Sequence, residues 1–382
     1  MNALLACKLG DVVKFGNGKS RPQSEGNIPV YGGNGILSYC DEVNYDGETI
    51  VIGRVGAYCG ATYYEKQPIW ISDNALSAKP KENNNTKYFY YFLKHMDLNQ
   101  HAGGSSHPLV TQTLLNSLDV EITASPEEQK TIASVLSSLD DKIDLLHRQN
   151  TTLESMAETL FRQWFVEEAQ EDWAIVELGG YVNCFNGVSY KSSELNPSKT
   201  AMVTLKSFDR NGGFRLDGFK EFTGRYKEQH IVVQGDLVVA HTDITQDAEV
   251  IGNPILVVAS PSYETIVISM DLVKVTSKFD WISNEFLYRM MRTREFKEHC
   301  LGYSNGSTVL HLSKQAIPSY EFFLPPKEKI QFFTANVKAM LGKKFKNIEQ
   351  IQTLEKLRDT LLPKLMSGEV RVTLNGEHHD AI

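Results

Sequence analysis

The chain has 382 residues and is 41% hydrophobic, the balance of an ordinary globular protein with room for two or three separate cores. It has no run of about 18 uncharged apolar residues, which excludes a membrane-spanning helix. The opening MNALLACKLG has too short an apolar stretch and no basic flank for a secretory signal. A formal charge of −8 argues against a generally basic nucleic-acid binder, and five separated cysteines without a C-x-x-C pair exclude zinc and disulfide frameworks, which fits reduced thiols in a cytoplasm.

Residues 1–125 read as a first mixed domain. LGDVVKFGNGKS (9–20) tempts a phosphate-loop reading, but G-x-x-x-x-G-K-[ST] would need a glycine where Val13 stands. A glycine-rich turn presenting Lys19 and Arg21 fits better. GETIVIGRVGAYCGATYY (47–64) sets a Gly-acid pair before a buried strand, with Arg54 at its exit. KYFYYFL (87–93) is an apolar-aromatic helix, and GSSHPLVTQTLLNSLDVEI (104–122) is a Gly-Ser loop followed by a closing strand. His101 and His107 have no carboxylate or cysteine at ligand spacing and read as loop residues.

Residues 126–170 read as a long helix. Ser125 can cap it, Pro126 fits its first position and Glu128 completes a capping box. Apolar residues then step by four and three through Ile132, Leu136, Leu139, Ile143 and Leu146, pass Asn150, and continue through Leu153, Ala157, Leu160 and Trp164. That narrow seam suits one partner helix. Segment 126–172 carries −7 of the total charge, while 1–125 and 173–324 carry −2 each.

Residues 171–324 repeat the first domain. LGGYVNCFNGVSY (178–190), GDLVVAHTDITQDAEVIG (235–252), NEFLYRM (284–290) and GSTVLHLSKQAIPSYEF (306–322) echo the four segments above, pairing Gly47 with Gly235 and Thr111 with Ser313 at an offset near 200 residues. Residues 325–368 then repeat the helix, with Pro326 and Glu328 in the places of Pro126 and Glu128. Its seam runs Ile330, Phe333, Val337, Met340/Leu341, Phe345, Ile348, Ile351, Leu354, Leu357, Leu361 and Leu365, and Pro363 should end or bend it. Residues 369–382 form a tail, and segment 325–382 carries +3, a complement to the acidic helix.

The expected fold is therefore α+β: two similar mixed domains, each followed by a long helix, with the helices packed as an antiparallel coiled coil in a pseudo-two-fold internal repeat. No catalytic constellation accompanies it. FGNG is off the F-x-G-x-G spacing of S-adenosylmethionine-dependent methyltransferases, NPSK (196–199) and NPIL (253–256) lack the rest of N/D-P-P-Y/F, and H-E-x-x-H, G-x-S-x-G and EF-hand patterns are missing. Neither a catalytic residue nor a metal ligand is assigned.

The repeated G-S-[ST] loop, the apolar strand after it, SPEEQKTIASVLSSLDDKID (125–144) and LEKLRDTLLPKLMSGEVRV together resemble the specificity subunit of a type I restriction–modification system, over nearly the whole chain. The resemblance implies two target-recognition domains, each reading half of a split double-stranded DNA sequence, with no catalysis and no cofactor of its own. It also implies two methyltransferase subunits and two restriction/motor subunits as partners, which would carry S-adenosylmethionine, ATP and Mg2+. A 36-residue helix is about 54 Å long and exceeds one turn of DNA, about 34 Å, as bipartite reading requires.

The family's reading residues vary, so no contact carries over by motif. Side-chain chemistry selects Lys19, Arg21, Arg54, Ser105, Ser106 and His107 in the first domain. In the second it selects Lys191, Arg210, Arg215, His241, Asn305 and Ser307. A degenerate DNA methyltransferase and a coiled-coil protein–protein adaptor are the competing readings. Calorimetry with S-adenosylmethionine and sequence-dependent DNA retention separate them from the first.

Overall fold

A computed structural model of the protein describes residues 4–103, 108–210, 212–245, 247–306 and 308–372. The chain divides into two compact units, Met1–Leu145 with Ile351–Ile382, and Leu146–Gln350.

The strands of the first unit are β1 (Leu4–Lys8), β2 (Val13–Asn17), β3 (Ile28–Gly32), β4 (Gly35–Cys40), β5 (Thr49–Gly53), β6 (Thr62–Glu65), β7 (Trp70–Ile71), β8 (Ala75–Pro80) and β9 (Asp119–Thr123). They form an antiparallel sheet of order β2–β8–β5–β6, a sheet β4–β3–β7 in which β3 and β7 are parallel, and the pair β1–β9. The β5 run TIVIG is buried at every position, the pattern of a strand covered on both faces.

Four helices complete the unit's chain order: α1 (Leu9–Val12), α2 (Thr86–His95), α3 (Gln112–Ser117) and α4 (Pro126–Arg162). Asn85 caps α2 by accepting from the Tyr88 amide at 2.9 Å, which turns Tyr88, Phe89, Tyr91 and Phe92 into the core. Thr111 caps α3 in the same way, from Leu114 N at 3.1 Å. At the start of α4, Ser125 Oγ accepts from Glu128 N at 3.4 Å. Gln129 in that first turn is fully buried, and its amide is satisfied on three sides. It accepts from Asn85 N at 2.9 Å and donates to Thr123 O at 2.8 Å and Asn84 Oδ1 at 2.9 Å, tying α4 to β9 and α2.

The second unit holds β10 (Ile175–Glu177), β11 (Val182–Asn186), β12 (Thr200–Val203), β13 (Lys220–Glu221), β14 (Leu237–Ala240), β15 (Thr242–Asp243) and β16 (Pro254–Leu256). It continues with β17 (Thr265–Ile268), β18 (Leu272–Ser277), β19 (Ser304–Asn305), β20 (Leu310–Leu312) and β21 (Glu321–Phe323). Its helices are α5 (Asn284–Met291) and α6 (Arg294–Gly302), and α7 (Lys327–Met366) begins in it and ends in the first unit. Sheets β11–β18–β14–β16 and β13–β12–β17 and the pair β10–β21 repeat the first unit's topology, including the parallel pair, here β12 with β17; the small sheet β15–β20–β19 has its counterpart in the bridges Val55–Leu109 and Gly103–Leu109.

The repeat extends to individual hydrogen bonds. Gly18 N donates to Ala75 O and Lys19 N to Ile71 O; Gly187 N donates to Leu272 O and Val188 N to Ile268 O. A Cβ on Gly18 would sit 1.8 Å from Ser72 O, and one on Gly187 2.1 Å from Ser269 O. These glycines are there for backbone contact, which is why FGNG resembles a phosphate loop without being one. The bonds also correct the pairing read from sequence. Equivalents lie 169 residues apart at Leu9/Leu178 and 202 apart at Leu118/Tyr320, so the offset is not constant. The ladders pair Gly53 with Ala75 and Ala240 with Leu272, which matches Arg54 to His241 and puts the Gly47/Gly235 pairing one residue out of register.

Each unit packs its own lengths of the two long helices. In the first, Ile132, Ala133 and Leu136 of α4 and Leu365 and Met366 of α7 share one apolar cluster with Leu9, Ile50, Leu76 and Phe89. Asp140 there accepts from Tyr91 Oη at 2.7 Å and from Arg358 Nη1 at 2.8 Å. In the second, Ala157, Phe161 and Phe165 pack with Ile330, Phe333, Val337 and Leu341. Asn347 there is wholly buried and donates to Asn150 Oδ1 at 2.9 Å, so the polar break in the first seam meets its partner. In both units the two helices run antiparallel.

The seam differs from its sequence pattern in phase. Phe161 and Phe165 take the buried places next to half-buried Leu160 and Trp164, where a π turn over Gln163–Glu167 widens the end of α4. That end falls short of 170. On α7, Leu357 is 44% exposed, because Lys344, Asn347 and Arg358 occupy inward positions facing Glu154, Asn150 and Asp140. Pro363 does not stop the helix, which runs on to Met366. A proline near the C-terminal end forfeits one backbone hydrogen bond, and burial of Leu365 and Met366 outweighs it.

Glu154 accepts from Lys344 Nζ at 2.8 Å and Tyr288 Oη at 2.7 Å, and Arg289 Nη2 lies 3.1 Å away. Burial alone would raise its pKa, but Lys344 and Arg289 overcome that and hold it at about 2. A carboxyl depressed in the folded state adds stability above its ordinary value of 4.5 and loses it as pH falls through about 2. Glu154→Gln should therefore lower the unfolding free energy in urea at pH 7 by about 3 kcal/mol. Between pH 4.5 and about 2 the wild-type protein should lose stability more steeply than the variant.

Candidate nucleic-acid interface

In the first unit three exits converge on the turn between β7 and β8. Lys19 N donates to Ile71 O at 3.0 Å, Ser72 N to Tyr31 O at 2.8 Å, and Arg54 N to Asn74 O at 2.9 Å. Val110 N, just after the Gly-Ser loop, donates to Arg54 O at 3.0 Å. Lys19, at the end of β2, and Arg54, at the end of β5, are thus carried on backbone bonded to one turn. Lys19 and the following Arg21 are exposed. Arg54 is half-buried, and its Nε is shielded from solvent with no hydrogen-bond partner among the described residues.

The second unit builds the same corner. His241 N donates to Asp271 O at 2.8 Å, and Leu312 N donates to His241 O at 2.8 Å, the counterparts of the Arg54–Asn74 and Val110–Arg54 bonds. His241 Nε2 is also buried without a partner among the described residues. Two different side chains, each with an orphaned ring or guanidinium nitrogen, therefore occupy the same backbone position of the repeat. A cavity of about 320 Å3 opens beside His241, lined in part by Asn183, Asn186 and Lys314. Asn305 on β19 pairs with His311 on β20, and Thr242 pairs with His311 from the other side, so Asn305 and His241 belong to one corner.

The remaining sequence candidates lie elsewhere or are engaged. Lys191 is exposed, and its backbone amide donates to Glu194 at 2.7 Å. Arg210 pairs with Glu249 at 3.1 Å, and Arg215 makes a two-bond contact with Asp217 two residues on. Neither is joined to the His241 corner by a described contact. Ser105, Ser106, His107 and Ser307 lie outside the described residues. Sequence reading missed His311 and Lys314, whose charges act on His241. The signal was present in VLHLSK, where one residue in two faces away from buried Leu312, but alternation over so short a strand is a weak cue. Among the described residues no group of three or more His, Cys, Asp or Glu could hold a metal ion, and no helix is long and apolar enough to cross a membrane.

Residues 6–155 match the family model of the type I restriction modification DNA specificity domain. The MjaIX specificity subunit of Methanocaldococcus jannaschii is 27% identical over 338 residues, covering 80% of this chain and 74% of that protein. The MjaVIII specificity subunit of the same organism is 22% identical and covers 96% of this chain and 92% of its own. The solved S subunit of a type I restriction–modification system from M. genitalium has the same fold, with a TM-score of 0.67 at 17% identity over 97% of each chain. The chain is similar to the type I specificity subunits along most of its length, and residues 6–155 match their DNA specificity domain. The family reading and the α+β repeat expected from sequence both hold for it.

Burial lowers the pKa of His241 below the ordinary 6.5, with His311 and Lys314 adding to the effect and Asp271 opposing it. Its ring should be neutral at pH 7, able to donate from one nitrogen and accept at the other. In a histidine NMR titration its midpoint should lie below 6.5, and Lys314→Gln should move it upward.

Proposed function

We propose that the Arg54 and His241 corners are the two reading heads with which this subunit recognises a bipartite DNA target. Recognition of DNA as a type I specificity subunit follows from the family. The observation that supports these particular positions is the matched backbone frame: the same two hydrogen bonds hold a guanidinium in one unit and an imidazole in the other, each with a nitrogen left unsatisfied. Arginine addresses the O6 and N7 acceptors of guanine, whereas a neutral histidine can donate or accept. One frame with two side chains is what two unlike half-sites need. Lys19 and Arg21 beside the first corner, and His311 and Lys314 beside the second, would hold phosphates.

The two units carry only −2 each outside the helices, too little positive charge for tight binding by the subunit alone. The family assembles with methyltransferase and restriction subunits on DNA. We assign two of each to this complex, with S-adenosylmethionine, ATP and Mg2+ on those subunits and no turnover by this chain. Purified alone with S-adenosylmethionine and duplex DNA, it should transfer no methyl groups. Turnover that survives rigorous purification would revive the degenerate-methyltransferase reading.

Co-expression with the methyltransferase subunits and mapping of methylated adenines tests the heads. Arg54→Ala should relax one half of the recognised sequence, by the about 1–3 kcal/mol per base typical of a good contact, and leave the other half intact. His241→Ala should do the converse. Loss of both halves in either variant, or an unchanged motif in both, would remove these residues from the reading heads.

A further inference from the structure

The second unit contains a cavity of about 600 Å3, within the size range of small-molecule sites, that the DNA-reading corners do not use. Its walls carry the cations Arg162, Arg210, Arg289, Arg292, Arg294 and Lys297. The facing acids are Glu158, Glu249 and Glu295, with Phe161 and Met291 as apolar surface. Positive charge is in excess.

We propose that this cavity binds a small phosphate-bearing anion, with the Arg289 guanidinium as its buried anchor. Arg289 is 2% exposed, and none of its three guanidinium nitrogens makes a hydrogen bond among the described residues. Nη2 lies 3.1 Å from Glu154 Oε1, close enough to attract but out of line to donate. That carboxylate is already shared, taking Lys344 at 2.8 Å, Arg292 Nη1 at 3.3 Å and Tyr288 Oη at 2.7 Å. One buried carboxylate thus faces three cations, and the guanidinium left over borders the cavity with its donors unused.

The rim is built to yield to a ligand. Arg210 is held to Glu249 at 3.1 Å and Arg294 to Glu298 at 2.6 Å, both on exposed arginines whose pairs are weak and exchangeable. Gly212, at φ +84°, leaves the space that a Cβ would take within 2.6 Å of the Arg292 guanidinium. The amino end of α6 at Thr293–Glu295 adds the positive pole of a helix. A carboxylate would supply one charge and two acceptor atoms. A phosphate supplies up to two charges and acceptors on several sides, matching forked donors that converge from different elements.

The same chemistry could come from a free anion or from a DNA backbone phosphate. Pyrophosphate titrated into the full-length protein at constant ionic strength should bind once per chain in calorimetry. Arg289→Met and Arg210→Gln should each weaken it at least ~10-fold. Glu154 keeps Lys344 and Arg292 in Arg289→Met, and a melting curve checks its fold; Arg210 is exposed, so Arg210→Gln decides the matter if the buried variant unfolds. A random-sequence duplex added to the complex distinguishes the sources: displacement of pyrophosphate assigns the site to backbone phosphate, and its retention assigns it to a free anion. Absence of saturable heat, or binding unchanged in folded variants, overturns the proposal.

Discussion

Each long helix has an apolar stripe that water cannot be left to cover, and this constraint organises both units. The stripe is not reserved for the other helix. Leu136 of α4 and Leu365 of α7 lie in the cluster that also holds Ile50 and Phe89, and Phe161 and Phe333 lie in the one that holds Phe286 and Leu256. The largest cluster of each mixed unit draws on both helices. A two-helix seam alone would demand a strict run of apolar residues, whereas a core shared with sheets tolerates Asn150–Asn347 and the carboxylate–cation contacts at Asp140 and Glu154. Those polar contacts fix register, because a slip of one turn would bury each charge without its partner.

The two units keep a backbone and vary what it presents. Gly18 and Gly187 sustain the same close approach, and Thr111 and Ser313 both accept amides at the start of the segment that leads to the closing strand. At other equivalent places the chemistry diverges. Gln129 is buried and triply bonded, whereas Lys329 reaches Glu168 at 3.5 Å and lies over the Trp173 ring at 5.2 Å. Arg54 and His241 differ in the same sense. Shared hydrogen bonds between main-chain atoms put no condition on side chains, which leaves a recognition residue at such a position unconstrained by the fold.

Much of this was legible in the sequence for local reasons. Ser125 acts through an amide three residues away, and the repeat shows in short strings such as LGDVV and LGGYV. Helix phase was harder. Leu357 fits a heptad pattern as well as Arg358 does, and only the presence of Asp140 opposite decides which turns inward. The one-residue error at Gly47/Gly235 has a similar origin: both glycines adopt positive φ, at 70° and 87°, and each stands two residues before its strand, but β5 is one residue longer than β14. The Arg54–His241 match rests on bonds to residues 20 to 70 positions away, and Arg289 owes its situation to Glu154 on another helix; neither is marked by a motif.

The second unit is continuous in sequence, from Leu146 to Gln350, and the first is interrupted by all of it. During synthesis the strands of the first unit emerge early, but Leu365 and Met366 of its cluster are among the last residues described. Phe161 meets Phe333 within a stretch of chain that is already complete at that stage. The unit made first is therefore finished second, holding an open apolar face until α7 is nearly fully translated. Closing it joins residues more than two hundred positions apart, a separation that adds little loop entropy once the intervening unit is already folded. The newborn chain passes through a state in which one unit is complete and the other still lacks part of its apolar cluster.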